Sequence, residues 1–349
     1  MRVFEMKKVR RRGEEVRKFI IDHTEKHPID ISKLTAKNFN ITRQAVNKHL
    51  QRLTAEHALM ESGKTRNRIY KLTPLLEWSH VYKLLPECAE DLVWRGDIQA
   101  VLGRLPENVL NIWHYGFTEM FNNAIDHSSG SEIMVRIMKT AASTEITISD
   151  NGVGIFKKIQ TTLHLLDERH ALLELAKGKL TTDPKRHSGE GIFFASRMFD
   201  SYAILSGGVY FSHDFDKPED WLFERDQFAG TVVWMKLHNH TSRTVKKIFD
   251  QYTSGEDYGF NKTVVPVSLA QYGNDKLISR SQAKRLLARV ALFKVVIFDF
   301  TGVESIGQAF ADEIFRVFAL QHPNLSLTSI HANAHVKQMI ERAKLGLVE

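Results

Sequence analysis

Apolar residues recur at helical spacing near the start of the chain. The pattern predicts three helices, at Glu14–His27, Ile31–Asn38 and Thr42–His57, the last with a threonine cap. Val46, Leu50 and Leu53 share one face of the third helix, and we expect that face to be buried. The opposite face is polar, rich in amides and cationic; it carries Gln44, Asn47, Lys48 and Gln51.

Two short strands are predicted next. Leu59–Ser62 and Arg66–Leu72, joined by a turn at Gly63 and Lys64, should form a hairpin. Three helices followed by such a wing resemble a winged helix-turn-helix domain, which implies contact with duplex DNA through amides that pair with adenine and cations that bind phosphates. The candidate DNA-contacting residues are Arg43, Gln44, Asn47, Lys48, Lys64, Arg66 and Arg68. A winged helix that contacts only proteins is the alternative.

The central part of the chain mixes helical and strand patterns. Residues 74–107 are partly helical without readable chemistry, and we interpret them as a helical connector. After them the pattern predicts a helix, two strands, a second helix ending at Phe199 and a further strand. The first helix and the three strands are Asn111–His127, Glu132–Met138, Thr144–Ser149 and Thr231–Leu237.

Polar residues and glycines cluster at the ends of these central elements. Glu119 and Asn123 are spaced i, i+4 on the first helix and share a face. Asp150 ends a strand, where its carboxylate can accept a hydrogen bond from an amino group. Two glycine pairs let the backbone approach a ligand, and the second opens a helix whose amides can bind phosphate: Gly152 and Gly154, then Gly189 and Gly191.

Glu119 and Asn123, then Asp150, then the two glycine pairs occur in this order, and Gly230-Thr231 follows in a strand. This order resembles the sequence boxes of the GHKL ATPases, the fold of gyrase, Hsp90, histidine kinases and MutL. The resemblance implies an ATP- and Mg²⁺-binding domain. It implies that Asp150 binds the adenine amino group, that Thr231 supports it through water, that Asn123 ligates Mg²⁺, and that the four glycines line the phosphates. Glu119 would be the general base toward water or a substrate hydroxyl. His127 either hydrogen-bonds near the phosphates or packs at the helix end.

Between the two glycine pairs, residues 155–187 would be the lid of such a domain. The segment contains several cations, among them Lys157, Lys158, Lys177, Lys179, Lys185 and Arg186. One of them could reach the terminal phosphate, whereas a solvated basic face is the alternative for each lysine taken alone.

The C-terminal third predicts a small α/β domain with one open sheet. Its elements are a strand at 294–300, a helix from about Gly307 to Leu320, a strand at 325–330 and a last helix at 334–343. The run from Asp299 to Phe310 is similar to STAS domains, and the likeness covers roughly 260–349. Where the related anti-sigma-factor antagonists carry an Asp-Ser-Ser-Gly stretch, this chain has Gly307-Gln-Ala-Phe, so the phosphoacceptor hydroxyl is missing. Ser305 or Thr301 could substitute; otherwise the domain would serve docking or dimerisation.

Charge separates the start of the chain from the rest. Residues 1–72 carry 18 lysines and arginines against 8 acidic residues, while the remainder carries 30 against 33. A basic excess of this kind suits a partner with a phosphate backbone. The hydrophobic content of 43% is ordinary for a globular protein, and the single cysteine, Cys88, excludes an internal disulfide. Without an apolar run of membrane-spanning length, the expected location is the cytoplasm.

These features together predict a multidomain α/β and α+β protein. Its parts would be a winged helix (1–73), a helical connector (74–107), a GHKL α/β sandwich (108–245) and a STAS-like α/β domain (260–349). The favoured function is a DNA-binding regulator that binds ATP. We expect it to hydrolyse ATP and to act as a homodimer. The alternative is a serine/threonine protein kinase of the anti-sigma-factor type that acts on a STAS-like or sigma-factor-type partner. A sensor histidine kinase and a gyrase- or MutL-like clamp fit less well.

Overall fold

The structure, a computed structural model, describes residues 2–63, 68–180, 189–215, 217, 221–253, 259–271 and 276–345. Residue contacts divide the chain into two compact units. The first comprises Met1–Trp78 with two short segments, Arg136–Glu145 and His238–His240. The second comprises Ser79–Val135, Ile146–Leu237 and Thr241–Glu349. The GHKL-like boxes and the C-terminal third therefore belong to one unit.

The N-terminal elements of the first unit are three helices and a hairpin: α1 (Arg2–Thr24), α2 (Ile31–Phe39), α3 (Arg43–Ala55), β1 (Leu59–Ser62) and β2 (Ile69–Leu72). The two strands pair antiparallel. The hydroxyl oxygen of Thr42 accepts a hydrogen bond from the Ala45 amide at 3.2 Å, which confirms the predicted cap of α3. α1 begins well before the predicted Glu14.

A continuous apolar core holds these N-terminal elements together. Val46, Leu50 and Leu53 are buried, as the spacing on α3 predicts. They pack in one cluster with residues of α1 and β2, among them Val16, Ile20 and Tyr70. Full burial of each aliphatic side chain contributes about 1.5–3 kcal/mol, so this cluster is the main source of stability of the three-helix region.

The central region is organised around a five-stranded sheet in the order β3-β4-β5-β7-β6. Its strands are β3 (Leu76–Lys83), β4 (Glu132–Lys139), β5 (Ser143–Asp150), β6 (Ser201–Asp214) and β7 (Trp221–His238). Its helices are α4 (Glu90–Val93), α5 (Gln99–Leu102), α6 (Glu107–His127), α7 (Ile155–Thr162), α8 (Glu168–Lys177), α9 (Gly191–Met198) and α10 (Val245–Tyr252). A π-helical turn, Trp94–Ile98, joins α4 to α5.

The stretch predicted as a helical connector differs from that expectation in one respect. It contains α4, the π-helical turn and α5, but it also contains β3, which is the edge strand of the five-stranded sheet. Sequence periodicity missed β3 because its residues are all exposed or half-buried and do not alternate regularly between apolar and polar.

α6 lies along the centre of this region because one of its faces is wholly apolar. Its buried residues recur every three or four positions: Val109, Ile112, Trp113, Gly116, Phe117, Met120, Phe121 and Ala124. Gly116 permits close packing, since a Cβ there would lie 2.4 Å from the ring of Phe199. The buried stripe leaves Glu119, Asn123 and His127 at the half-buried margin of the helix.

The C-terminal region forms a three-stranded parallel sheet in the order β10-β9-β8. Its strands are β8 (Lys262–Pro266), β9 (Val295–Asp299) and β10 (Ser326–Ile330). Its helices are α11 (Arg280–Leu287), α12 (Gln308–Asp312), α13 (Ala319–Gln321) and α14 (Ala334–Leu345), with a π-helical turn at Glu313–Phe318. The two strands and two helical segments predicted here are confirmed within a few residues. Sequence patterns missed β8 and α11, although Ser279 and Gln282 form a capping box at the start of α11.

Candidate functional site

A cleft opens where α6, α7, α9 and the strands β5 and β7 meet. Its empty space, including the solvent at its mouth, is about 410 Å³. The lining residues are Met120, Asn123, Ala124, His127, Ser128, Ile148, Asp150, Ile155, Ile192, Thr231 and Val233. Four predicted site residues therefore meet in one cleft: Asn123, His127, Asp150 and Thr231.

Asp150 provides the buried acidic group of this cleft. Its side chain lies at the end of β5 and the residue is 8% exposed. Oδ1 accepts hydrogen bonds from the amides of Gly152, at 2.9 Å, and Thr231, at 3.3 Å. Burial raises the pKa of the Asp150 carboxyl, and these hydrogen bonds oppose the shift. The carboxylate is thus held in place by backbone from two separate segments.

Thr231 links the neighbouring strand to the loop after Asp150. It follows Gly230, which has φ +86° and touches Asp150: a Cβ on Gly230 would lie 2.0 Å from the Asp150 carbonyl oxygen. The Thr231 hydroxyl oxygen accepts a hydrogen bond from the Ile155 amide at 3.0 Å. The Gly-Thr pair therefore fixes both Asp150 and the start of α7.

The first glycine pair connects the Asp150 loop to the end of α6. A Cβ on Gly152 would lie 2.0 Å from the carbonyl oxygen of Ser128, so only glycine fits there without backbone movement. The Val153 amide donates to the same carbonyl at 2.8 Å. Gly154 adopts φ +86° immediately before α7, a conformation that a side chain would strain.

Glu119 lies outside the cleft lining but directly against the second glycine pair. A Cβ on Gly191 would lie 2.0 Å from Oε2 of Glu119. Gly191 is the first residue of α9, where unpaired amides and the helix dipole attract anions. Gly189, at φ +72°, precedes it and packs on the backbone of Leu180. The carboxylate of Glu119 thus lies beside the positive end of α9.

The cations of the segment between the glycine pairs make different contacts. Lys158 donates to the carbonyl of His127 at 2.8 Å, so it caps the end of α6 at the cleft. Lys157 donates to the side chain of Gln160. Lys177 is buried in an ion pair, which makes a solvated basic face wrong for this lysine. Lys185 and Arg186 lie outside the described residues.

Sequence reasoning missed two residues near the site, Ser128 and Glu190, and did not single out a third, Lys158. Ser128 lines the cleft and its carbonyl receives the Val153 amide; no motif marks it. In the sequence, Lys158 is one lysine among several. Its contact with the carbonyl of His127 follows from the position of α7 near the end of α6. Glu190 precedes Gly191, and burial raises the pKa of its carboxyl while Lys179 opposes the shift.

The polar face of α3 is a second candidate surface. Gln44, Asn47, Lys48 and Gln51 are exposed, as predicted from their spacing opposite the buried face, and Arg43 is exposed as well. Arg68 is half-buried and pairs with Glu61 at 3.3 Å on the hairpin. Lys64 and Arg66 of the predicted wing lie outside the residues that the structure describes.

The carboxyl end of β9 holds the possible substitute acceptors of the C-terminal region. The Thr301 hydroxyl donates to Oδ1 of Asp299 at 2.7 Å, and Nδ1 of His331 lies 2.9 Å from the same oxygen. Ser305 is half-buried in the following loop. α12 begins at Gln308, and Ala309 occupies the position that aligns with the phosphorylated serine of the antagonists.

Two features are absent from the described ranges: a membrane-spanning helix and a cluster of metal-binding side chains. Within them, no helix combines the length and apolarity that a membrane crossing requires. The same ranges contain no group of three or more histidine, cysteine or acidic residues that could hold a metal ion.

Comparison with known proteins identifies the C-terminal region. Residues 282–337 match the family described as a STAS-like domain of unknown function (DUF4325). The predicted STAS-like domain is thereby confirmed for these residues, which include α11, β9, β10 and the start of α14. No curated protein matches the chain.

Proposed function

We propose that the chain is an ATP-binding regulator of DNA, with a GHKL-type nucleotide site and a STAS-like region for protein contacts. The observation that carries the proposal is the cleft in which Asp150, Thr231 and Asn123 converge beside the Glu119–Gly191 contact. These residues come from four separate boxes of the sequence. Three of these boxes contribute Asn123, Asp150 and Thr231 to the cleft, and the fourth contributes Gly191, which contacts Glu119 outside the lining. This arrangement supports the GHKL resemblance, and scattered glycines would not produce it.

The groups present fit a purine nucleotide with a chelated cation. Apolar side chains, among them Ile148, Ile155 and Val233, line the cleft beside one buried carboxylate, a combination that suits a flat base with an amino group. Gly191 has no side chain at the start of α9, where the first backbone amides of the helix would bind an anion. Asn123, one turn from Glu119, would supply the amide oxygen for Mg²⁺.

The chain's own residues would have distinct tasks. Asp150 would accept a hydrogen bond from the base, held by the amides of Gly152 and Thr231. The amides at the start of α9 would bind the phosphates, and Glu119 beside them would orient and deprotonate the attacking hydroxyl or water. Mg²⁺, when bound, neutralises charge on the phosphate oxygens.

The DNA-binding part of the proposal rests on the exposed face of α3. Two amides and two cations lie on one side of a capped helix within a strongly basic N-terminal region. Amides suit the edge of adenine, and the cations suit the phosphate backbone. A pair of chains would present two such helices to two half-sites, so we propose a homodimer.

A protein kinase is the second candidate, because the chain carries a matched STAS-like region and a carboxylate, Glu119, beside the start of α9 that would activate a hydroxyl. Purified protein with γ-labelled ATP, Mg²⁺ and duplex DNA present or absent separates the two. Free phosphate that Glu119→Gln abolishes, with ATP binding retained, is the expected result. Label retained on this chain or on a STAS-like partner would favour the kinase. Wild-type protein that fails to bind ATP would overturn both.

A further inference from the structure

α8, within the segment that resembles a lid, carries a fully buried ion pair. Nζ of Lys177 lies 2.7 Å from Oε1 of Glu174, and the two side chains are 1% and 2% exposed. Burial lowers the pKa of the Lys177 amine, and Glu174 opposes the shift. Charges are buried at a large desolvation cost unless several partners compensate, so the surroundings of this pair indicate what α8 is docked against.

Those compensating partners come from the STAS-like region. Nζ of Lys177 donates to the carbonyl of Ala288 at 2.8 Å and to that of Arg285 at 3.1 Å, at the end of α11. Carbonyls in the last turn of a helix carry its negative dipole charge, so they attract an ammonium group. Nε of Arg289 lies 3.5 Å from Oε2 of Glu174. α8 is therefore docked on the C-terminal end of α11 through charge as well as packing.

The chain that leaves α8 is held by the same region. The hydroxyl of Thr263 donates to the Lys177 carbonyl at 2.6 Å. One guanidinium nitrogen of Arg289 donates to the carbonyl of Lys179. Nζ of Lys179 in turn donates to the carbonyl of Leu292 at 3.0 Å. The last residue of α8 and the backbone two residues after it are thus anchored by residues from 263 to 292.

This anchored backbone touches the glycine pair at the phosphate end of the site. The Leu180 amide donates to the carbonyl of Gly189 at 3.1 Å. Gly189 packs so closely on Leu180 that a Cβ would lie 2.5 Å from its carbonyl carbon. Gly191, two residues later, starts α9 beside Glu119. Arg289 and the first amides of α9 are therefore connected through Lys179, Leu180 and Gly189.

We propose that Arg289 is a positioning residue for the nucleotide site: it holds the Lys179–Leu180 backbone, and through it the Gly189–Gly191 loop, in the conformation that receives phosphate. The inference rests on the proposed function and adds its regulation. A partner that displaced the STAS-like region from α8 would release this loop and weaken nucleotide binding. By thermodynamic reciprocity, bound nucleotide stabilises the docking of α8 on α11.

Two measurements on full-length protein test this: the Kd for Mg-ATP, and hydrogen exchange of peptides covering 168–180 and 280–294 with and without nucleotide. Arg289→Ala should weaken Mg-ATP binding about 5- to 150-fold, the usual span of coupling between sites. In the wild type, nucleotide should slow exchange in both peptides, and this slowing should disappear in the variant. Arg280→Ala is the matched control, because that arginine is 63% exposed and lies 3.8 Å from Asp312.

A second variant guards against simple unfolding, since Arg289→Ala leaves Glu174 with one fewer cation. Lys179→Met removes the bond to Leu292 and keeps the buried pair, so it should weaken Mg-ATP binding in the same direction with the wild-type circular dichroism spectrum. Wild-type affinity in folded Arg289→Ala and Lys179→Met proteins would overturn the inference and leave ATP binding standing. A wild-type protein that binds no nucleotide would overturn the inference together with the proposed function.

Discussion

At the scale of single residues, Asp150 combines a charge with burial. Burial raises the pKa of its carboxyl, so the folded state binds a proton more readily than the unfolded chain. Stability is then lost as the pH rises from the unfolded pKa, about 3.9, through the raised folded one. The ionised Asp150 carboxylate therefore lowers the stability of the folded state, as is common for groups that bind a ligand.

Asp150→Asn should separate stability from binding. The amide oxygen can still accept from Gly152 and Thr231, while the buried charge is gone, so the Tm should stay constant or rise. The Kd for ATP should increase at least about tenfold, because a hydrogen bond to a charged group contributes about 1.5–3 kcal/mol. Thermal melts and calorimetric titration measure the two effects. Asp126→Asn, at an exposed position of α6, is the control; a lowered Tm with unchanged ATP affinity would contradict the assignment.

Gly191→Ala tests the contact between α9 and Glu119. The new Cβ meets the far end of a flexible side chain, so the fold should persist while the Glu119 carboxylate moves aside. A displacement of this size at a reacting group lowers turnover about 10²-fold. ATP hydrolysis should therefore fall far more than ATP affinity, as measured by phosphate release and titration.

The matched control is Gly96→Ala, where an added Cβ meets nothing within 4 Å. It lies in a helical turn, so alanine should raise stability by about 0.5–1 kcal/mol and leave hydrolysis unchanged. Equal turnover in Gly191→Ala and wild-type protein would exclude Glu119 as the base.

At the scale of elements, amphipathic helices were predicted more reliably than short strands. α2, α3 and α6 lie within a few residues of their predicted bounds, because their apolar stripes repeat over several turns. β3, β6 and β8 were missed, because none of them shows a regular alternation of apolar and polar residues. Helices α7 and α8, which lie between the two glycine pairs, were also missed.

The exposed face of α3 leads to a prediction about DNA. Lys48→Ala should weaken duplex binding similarly for all sequences and reduce the slope of log K against log salt by about 0.9, since one phosphate contact is lost. Asn47→Ala should instead relax base preference, at about 1–3 kcal/mol for the preferred site. Fluorescence anisotropy over a salt series and a selected-site library measures both.

Lys284→Ala is the control for this experiment, because it removes the same charge from an exposed position of α11. Identical salt slopes for Lys48→Ala and Lys284→Ala would show that α3 makes no phosphate contact. The N-terminal region would then be better explained as a protein-binding winged helix.

At the scale of the whole molecule, the question is whether nucleotide and DNA binding are linked. We predict that duplex affinity differs at least about fivefold between Mg-ATP, Mg-ADP and no nucleotide, the lower end of typical coupling. Asp150→Asn should abolish the difference without changing the affinity measured in the absence of nucleotide. Equal affinity and equal site preference in all three states would show that the two activities are independent.

The candidate site was largely predictable, residue by residue. Asn123, Asp150 and Thr231 carry recognisable neighbours in the sequence, and they line one cleft. Lys177 was not predictable: a lysine in a polar helix is ordinarily solvated, and nothing near it in sequence indicates that helix α11 covers it. Glu190 and Ser128 belong to no pattern outside their loops.

The sequence by itself determined the helical stripes, the concentration of positive charge at the N-terminus, the order of the glycine boxes and the STAS-like character of residues 282–337. These properties depend on residues a few positions apart, where spacing and side-chain type act directly. Only the tertiary structure decided that Arg289 holds the carbonyl of Lys179, 110 residues away, and that Gly191 lies against Glu119. Such contacts follow from the packing of whole elements, whose burial fixes which distant charges and backbone groups meet.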